Sequence, residues 1–168
     1  EVGKYASMKV SGGNVFISYF DETSGHTKFA KSSDGGMTWE TKQLVYSANI
    51  NRNPSAIAIR PQGSTFDIML IYQDSVNLRA MKSSDGGETW VSAATHPDIS
   101  NTVLNQCSLA AGTGTDDTYY ASYYVLSAPN QLYFARSLPG SANWNAGVRV
   151  YPVSADDQGK LNSIDVQG

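Results

Sequence analysis

Two nearly identical stretches of the sequence place an aspartate among serine, glycine and threonine residues. "SSDGGMTW" covers residues 32–39, and "SSDGGETW" covers residues 83–90. A carboxylate in such a loop could act as a general acid or bind a cation. One motif carboxylate per loop is too few for a Ca²⁺ site, and an aspartate in a tight hairpin accepts hydrogen bonds from nearby backbone N–H groups. We therefore interpret Asp34 and Asp85 as fold residues and not as catalytic acids.

Other reactive side chains are few and scattered. His26 and His96 are the only histidines; both fall in predicted loops and lack the local spacing of a metal-binding pair. Cys107 is the only cysteine, so no intrachain disulfide can form, and we interpret it as a small, buried apolar residue. The adjacent pair Asp116-Asp117 is more typical of a turn than of paired catalytic carboxylates. The sequence thus predicts neither a metal site nor a cofactor.

The two aspartate stretches belong to a longer repeat. "KFAKSSDGGMTW" (28–39) aligns with "RAMKSSDGGETW" (79–90), and a weaker third copy, "YFARSLPGSANW", covers 133–144. The spacings between copies are 51 and 54 residues, and all three tryptophans of the chain fall at one position of the repeat. Self-similarity at a fixed period is typical of a repeat architecture.

Each repeat predicts four short strands separated by turn residues, and no segment has the periodicity of a helix. Runs such as "DIMLIY" (67–72) are apolar on both faces, which predicts a sheet packed between two other sheets. Four-stranded sheets at this period are typical of β-propeller blades. The predicted strands are 5–10, 14–20, 27–32 and 38–46, then 54–60, 66–73, 77–83 and 89–95, then 105–111, 118–126, 131–137 and 143–151.

The repeated pattern Ser-x-Asp-x-Gly-x-Thr-Trp resembles the Asp-box, or BNR repeat, of the sialidase-like β-propeller superfamily. The third copy has Pro139, Ser141 and Asn143 at the Asp, Gly and Thr positions. The resemblance implies that each hairpin joins the third and fourth strands of a blade, away from the functional face. We expect the threonine to start the next strand and the tryptophan to insert between sheets. The predicted structural residues are Ser32, Asp34, Gly36, Thr38 and Trp39, then Ser83, Asp85, Gly87, Thr89 and Trp90, then Ser137 and Trp144.

The repeats divide the chain into a single propeller unit, residues 1–168, with blades at approximately 3–51, 52–104 and 105–158. The last ten residues, "GKLNSIDVQG" (159–168), are similar to "GKYASMKVSG" (3–12), which predicts the first strand of a fourth blade. Three blades cannot close a ring. We therefore expect either half of a six-bladed ring, closed by a homodimer, or a fragment of a longer propeller.

Composition excludes two classes of partner. The net charge is −3, and charged residues make up 16% of the chain, so we expect no binding to nucleic acid. No run of 18 apolar residues occurs, so we expect no membrane insertion. Low charge together with ten tyrosines favours an extracellular or cell-surface protein.

Polar loops between blades, opposite the repeated hairpins, are where we expect a ligand. Resemblance to sialidases implies a carboxylate sugar held by three arginines, but only Arg52 lies in such a loop, and we expect Arg60, at a strand end, to be solvated. The first hypothesis is therefore a non-catalytic module that binds a glycan or a protein. An alternative is an exo-sialidase-like glycoside hydrolase completed by other blades or chains, and another is a structural or engineered self-assembling fragment without a ligand. The predicted ligand contacts are Asn51, Arg52, Asp98, Asn101 and Asp156.

Overall fold

The structure is a computed structural model of the chain. It describes residues 2–46, 54–74, 77–93, 104–125, 131–137, 143–150 and 163–166. Every regular element in these residues is a β-strand. The strands are β1 (Val2–Ser11), β2 (Asn14–Asp21), β3 (His26–Ser32), β4 (Glu40–Tyr46), β5 (Ser55–Gln62), β6 (Thr65–Asp74), β7 (Asn77–Ser83), β8 (Val91–Ala93), β9 (Leu104–Ala111), β10 (Tyr119–Val125), β11 (Gln131–Arg136) and β12 (Val148–Arg149).

The strands form three four-stranded antiparallel sheets, each built from consecutive strands in chain order. We call them blade 1 (β1–β4), blade 2 (β5–β8) and blade 3 (β9–β12). The predicted all-β class with four-stranded blades is confirmed. The first predicted blade boundary, at 51/52, lies outside the described residues, and the division into blades stays a prediction there. Of the predicted extra strand at 159–168, the structure describes 163–166, which belong to no strand.

The fourth strand of each blade is shorter than predicted. β4 starts at Glu40 and β8 at Val91, so Thr38 and Thr89 precede the strands that we expected them to start. Both threonines are held inside their hairpins by an aspartate, as described below. In blade 3, β12 is only Val148–Arg149. It follows Gly147, where a Cβ would clash with Tyr123, and a glycine weakens a strand because it has no side chain to pack.

Positions in different blades can be compared directly. We call residues equivalent when they have the same place relative to Ser32, Ser83 and Ser137 and the same partners in the sheet. The residues three places before these serines are Phe29, Ala80 and Phe134. On the innermost strands, the equivalent residues are Met8, Ile57 and Leu109, which pair with Ile17, Leu70 and Ala121.

The seam between blades 1 and 2 is aromatic. Phe16 and Phe29 of blade 1 stack with ring centroids 6.3 Å apart and pack with Ile57 and Ile68 of blade 2. The Trp90 ring meets Phe29 edge-on at 5.1 Å. Insertion of the tryptophan between sheets, which we expected from the motif, is therefore seen at Trp90.

Trp39 differs from Trp90, because its side chain is 42% exposed. The equivalent Trp90 packs against the blade that precedes its own, and no described residue forms a blade before blade 1. The expectation that Trp39 inserts between sheets is thus wrong for the isolated chain.

The seam between blades 2 and 3 combines alanines with tyrosines. Ala80 stands where Phe29 stands in the first seam, and Tyr123 and Leu109 pack against blade 2. The exchange of a phenylalanine for an alanine leaves a crevice of about 10 Å³ beside Trp144 and Arg79. A crevice of that volume holds at most one water molecule, so we do not consider it a ligand site.

Gly87 and Gly36 offer a matched test of the first seam. Both have positive φ, +94° and +97°, so alanine costs about 1–2 kcal/mol at either position. A Cβ on Gly87 would lie 2.5 Å from the Phe29 ring, whereas one on Gly36 meets only Trp39 at 3.7 Å. We expect Gly87→Ala to lose about 1–3 kcal/mol more unfolding free energy than Gly36→Ala, through overpacking. Equal losses in urea denaturation would contradict the seam packing described here.

Candidate functional site

The two repeated hairpins (32–39 and 83–90) are held by the same hydrogen bonds. In the first, Asp34 Oδ1 accepts from the Thr38 N–H at 2.9 Å, and Oδ2 accepts from the Thr38 hydroxyl at 2.5 Å. The Ser32 hydroxyl donates to Asp34 at 2.7 Å and accepts from the Gly36 N–H at 2.8 Å. The Trp39 indole N–H donates to the Gly36 carbonyl. Asp85 and its neighbours repeat these contacts.

These contacts leave the hairpin aspartates unsuited to acid catalysis. The Thr38 hydroxyl and N–H hold the pKa of Asp34 well below its usual value, and Thr89 does the same for Asp85. A carboxylate with a lowered pKa is ionised at neutral pH and has no proton to donate. Its lone pairs are directed at its own hairpin. The structural interpretation of both aspartates remains our proposal, and this geometry supports it.

The opposite end of the blades carries a polar pocket. The hairpins lie at the end where β1 turns into β2, because the Gly35 N–H donates to the Gly13 carbonyl. At the other end, the innermost strands of all three blades meet around a pocket of about 170 Å³. We call it the axial pocket. Its described lining residues, all uncharged, are Tyr5, Ala6, Pro54, Ser55, Gln106, Cys107 and Ser108.

Tyr5 is the unusual residue of the axial pocket. It is the one non-glycine residue with positive φ, +54°, among those described, and it lies at an irregularity in the pairing of β1 with β2. An L-residue in this conformation costs about 1–2 kcal/mol, and such strain is found most often at functional sites. The Tyr5 carbonyl accepts a hydrogen bond from Ser55 of the next blade at 3.4 Å. The side chain is 39% exposed and is therefore accessible to a ligand.

None of the predicted ligand contacts can be placed. Asn51, Arg52, Asp98, Asn101 and Asp156 all lie outside the described residues. Two of the loops that contain them do end at the axial pocket: Arg52 comes two residues before Pro54, and Asn101 comes five before Gln106. The sequence argument therefore selected the end of the blades where the axial pocket lies, but it did not select the residues that line the pocket. Tyr5, Ser55, Gln106 and Ser108 gave no signal in the sequence, since they belong to no motif, and serine and tyrosine occur throughout the chain.

Two single-residue expectations are wrong. Arg60, which we expected to be solvated, has a side chain only 13% exposed, donates to Asp67 at 3.3 Å and lies over the Tyr119 ring. It is held inside because the guanidinium pairs with a buried carboxylate while its plane covers an aromatic face. His26, which we expected in a loop, is the first residue of β3, where it pairs with Asp21; His96 lies outside the described residues.

Asp116 behaves as the sequence indicated, whereas Cys107, which we expected to be buried, is half-buried at the axial pocket. Asp116 accepts from the Thr118 N–H and the Tyr120 hydroxyl, as a turn residue does. Burial raises the pKa of the Cys107 thiol to about 12, which suppresses the reactive thiolate. Among the described residues there is no group of three or more His, Cys, Asp and Glu that could hold a metal ion. The described part of the chain contains no helix that is long and apolar enough to cross a membrane.

Comparison with known proteins gives matches in structure only. No protein-family model and no curated protein matches the chain. A fucose lectin from Kordia zhangzhouensis, in complex with methyl-fucoside, matches with a TM-score of 0.57 and 10% identity over 87% of this chain and 98% of the lectin. A sialidase from Streptococcus pneumoniae matches with a TM-score of 0.58 and 16% identity over 81% of this chain and 21% of the sialidase.

A third structure leads to the same fold. The intramolecular trans-sialidase from Ruminococcus gnavus matches with a TM-score of 0.57 and 17% identity over 89% of this chain and 33% of that enzyme. The chain thus spans a third or less of these two sialidase chains, but nearly all of the lectin chain. The sialidase-like β-propeller fold that the repeats predicted is confirmed, and at these identities the likeness extends to the fold alone.

The hairpin carboxylates predict a pH dependence. Their folded pKa values lie below the unfolded value of about 3.9, so their contribution to stability is complete above that pH and is lost as the pH falls toward the folded pKa. We expect the thermal midpoint of the wild type to fall between about pH 4 and pH 2 more steeply than that of a D34N/D85N double variant. At pH 7 the double variant should melt about 3–6 °C lower. E40Q, at an exposed carboxylate, is the control; parallel curves for D34N/D85N and wild type would contradict the assignment.

Proposed function

We propose that the chain is a glycan-binding β-propeller unit, extracellular or on the cell surface, whose ligand enters the axial pocket. The observation that carries this proposal is a pocket whose described lining consists of uncharged polar and apolar residues at the meeting point of three innermost strands. Hydroxyl and amide groups suit a neutral ligand that both donates and accepts hydrogen bonds. The likeness in fold to a fucose lectin and to sialidases supports a carbohydrate.

The size and the aromatic residue of the pocket narrow the ligand class. At about 170 Å³, the pocket is smaller than the roughly 300–1,000 Å³ that drug-sized ligands occupy. It therefore suits a single terminal sugar residue. A tyrosine offers a sugar both an apolar ring face and a hydroxyl group, and Tyr5 is partly exposed at the pocket.

Binding is favoured over hydrolysis for a chemical reason. Glycoside hydrolysis ordinarily needs two carboxyl groups placed on either side of the bond that breaks. The described lining of the axial pocket contributes none. Of the carboxylates described at this end of blade 1, Glu22 pairs with Lys4 at 2.7 Å, and Asp21 is 4% exposed and paired with Lys28 at 2.6 Å. The Lys28 ammonium, with Ser24, holds the pKa of Asp21 well below its usual value, so this carboxylate is unsuited to donate a proton.

Tyr5 gives a test in which binding and stability move in opposite directions. Tyr5→Gly relieves the positive-φ strain, so the thermal midpoint should stay equal or rise, while glycan affinity should fall about tenfold or more through loss of the ring. A residue that only supported the fold would instead lose stability on truncation. Calorimetric titration with methyl fucoside and with sialyllactose, after a glycan array, supplies the affinities.

Gln106 and Gln62 provide a matched pair for the same titrations. Gln106 lines the pocket, whereas Gln62 is exposed at the opposite end of blade 2. We expect Gln106→Ala to bind about three- to tenfold more weakly and Gln62→Ala to bind as the wild type does. An array without binding above background, or equal affinities for both variants, would overturn the axial site. Release of the fluorophore from a fluorogenic sialoside would overturn the non-catalytic assignment.

A further inference from the structure

The outward face of blade 1 is built as a surface for contact with another blade. Met8 and Val10, on this face, are each 59% exposed. Met8 pairs with Ile17 just as Ile57 pairs with Leu70 in blade 2. There the equivalent Ile57 is fully buried, because blade 1 covers it. Within the described residues, nothing covers blade 1 in the same way.

Blade 3 presents the complementary surface on its outward side. Tyr120 and Phe134 stack there with centroids 6.1 Å apart and an interplanar angle of 23°. Their equivalents in blade 1, Phe16 and Phe29, stack at 6.3 Å and 25° and are the rings that hold blade 2. Blade 3 therefore ends with the same aromatic pair by which blade 1 binds its neighbour.

A pocket beside this pair has the position of a tryptophan slot. It has a volume of about 180 Å³ and is lined by Phe134, Asn145 and Val148 among others. In the seam between blades 1 and 2, Phe29 receives the edge of Trp90. The equivalent of Trp90 on blade 1 is Trp39, which is 42% exposed. Trp39 of a second copy is thus the ring that would fill the slot.

Residues 163–166, which we call the tail, occupy part of this surface. The Ile164 N–H donates to the Ser108 hydroxyl at 3.2 Å, and the Ile57 N–H donates to the Ser7 hydroxyl at 3.3 Å. Ser108 and Ser7 are equivalent, because they pair with Ser122 and Ser18 at the same step of the sheet. Residues 163–166 therefore lie where the innermost strand of a following blade would lie.

We propose that a second copy of this chain docks its blade 1 on the outward face of blade 3, and that the tail is a removable cap on that face. The tail and β1 of the second copy compete for one position at Ser108. Releasing the tail is the easier path, since its described residues form no strand, whereas β1 (Val2–Ser11) is paired with β2 at seven residues. The second copy thus keeps its own β1, and the tail leaves.

For a chain of three blades, ring geometry limits the assembly to two copies. Propellers close with about four to eight blades, and six is the one multiple of three in that range. Two copies related by a two-fold axis then meet at two equivalent seams. This assembly goes beyond glycan binding, and its test does not depend on a ligand.

Sedimentation velocity on the full chain and three variants tests the proposal up to about 100 µM. We expect a monomer–dimer equilibrium for the full chain. Deleting residues 163–168 should tighten the dimer about three- to tenfold by removing the competing cap. Met8→Glu should weaken the dimer at least tenfold without unfolding the chain, because Met8 is exposed in the monomer. Val91→Glu is the matched control, at an exposed valine on the outer strand of blade 2, and should dimerise as the full chain does.

Each other outcome contradicts a defined part of the proposal. A monomer in both the full chain and the deletion variant would overturn the second copy as occupant and indicate further blades of a longer chain. A weaker dimer after deletion would show that the tail exchanges between copies and does not cap. Equal dimerisation of the Met8→Glu and Val91→Glu variants would exclude the face of blade 1. The glycan affinity of the monomeric Met8→Glu variant is measured separately. An unchanged affinity would show that the axial site works in the single chain, and a lost affinity would show that the site needs the assembly.

Discussion

Each blade of this molecule is apolar on both faces, and the rest of the structure depends on covering them. In blade 2, Ile57 and Leu70 face blade 1, while Ala56 and Ile71 face blade 3, and all four are buried. Burial of such surface contributes roughly 25 cal/mol per Å², so each neighbouring blade adds to the stability of the blade that it covers. Stacking face to face brings the innermost strands β1, β5 and β9 side by side. The axial pocket is a consequence of that arrangement, because its walls are the starting ends of these three strands.

The polar hairpins serve the same requirement from the rim of the molecule. Asp85 binds both the N–H and the hydroxyl of Thr89, which fixes the residue directly before Trp90. The indole is then held by the Gly87 carbonyl with its edge against Phe29. A carboxylate in solvent thus positions a ring in the seam. These hydrogen bonds are confined to one end of the blades, and the axial pocket lies at the opposite end.

The parts of the structure that the sequence predicted are those determined locally. Strand type, the four-stranded blades and the two hairpins each depend on residues within about a dozen positions, and the repeat displays them more than once. The conformation of Tyr5 and the burial of Arg60 depend instead on residues of other blades. Arg60, for example, donates to the carbonyl of Asp116, which lies 56 positions further along the chain. The axial pocket combines Tyr5 with Gln106, which are a hundred residues apart and belong to frequent residue types. No local pattern distinguishes such residues, so the sequence predicted a ligand site at the end opposite the hairpins but not the residues that line this pocket.

Assembly and ligand binding meet at one residue. Ser108 lines the axial pocket and also accepts the hydrogen bond of the tail. Three innermost strands surround only part of a propeller axis, and a second copy would supply the remaining strands. A ligand that contacts strands of both copies binds the ring in preference to the single chain, so it must also favour assembly by mass action. By the same linkage, any interaction that holds the tail on Ser108 opposes both the assembly and the binding of the ligand. The tail would then regulate the pocket without touching the ligand, through competition for the seam that completes it.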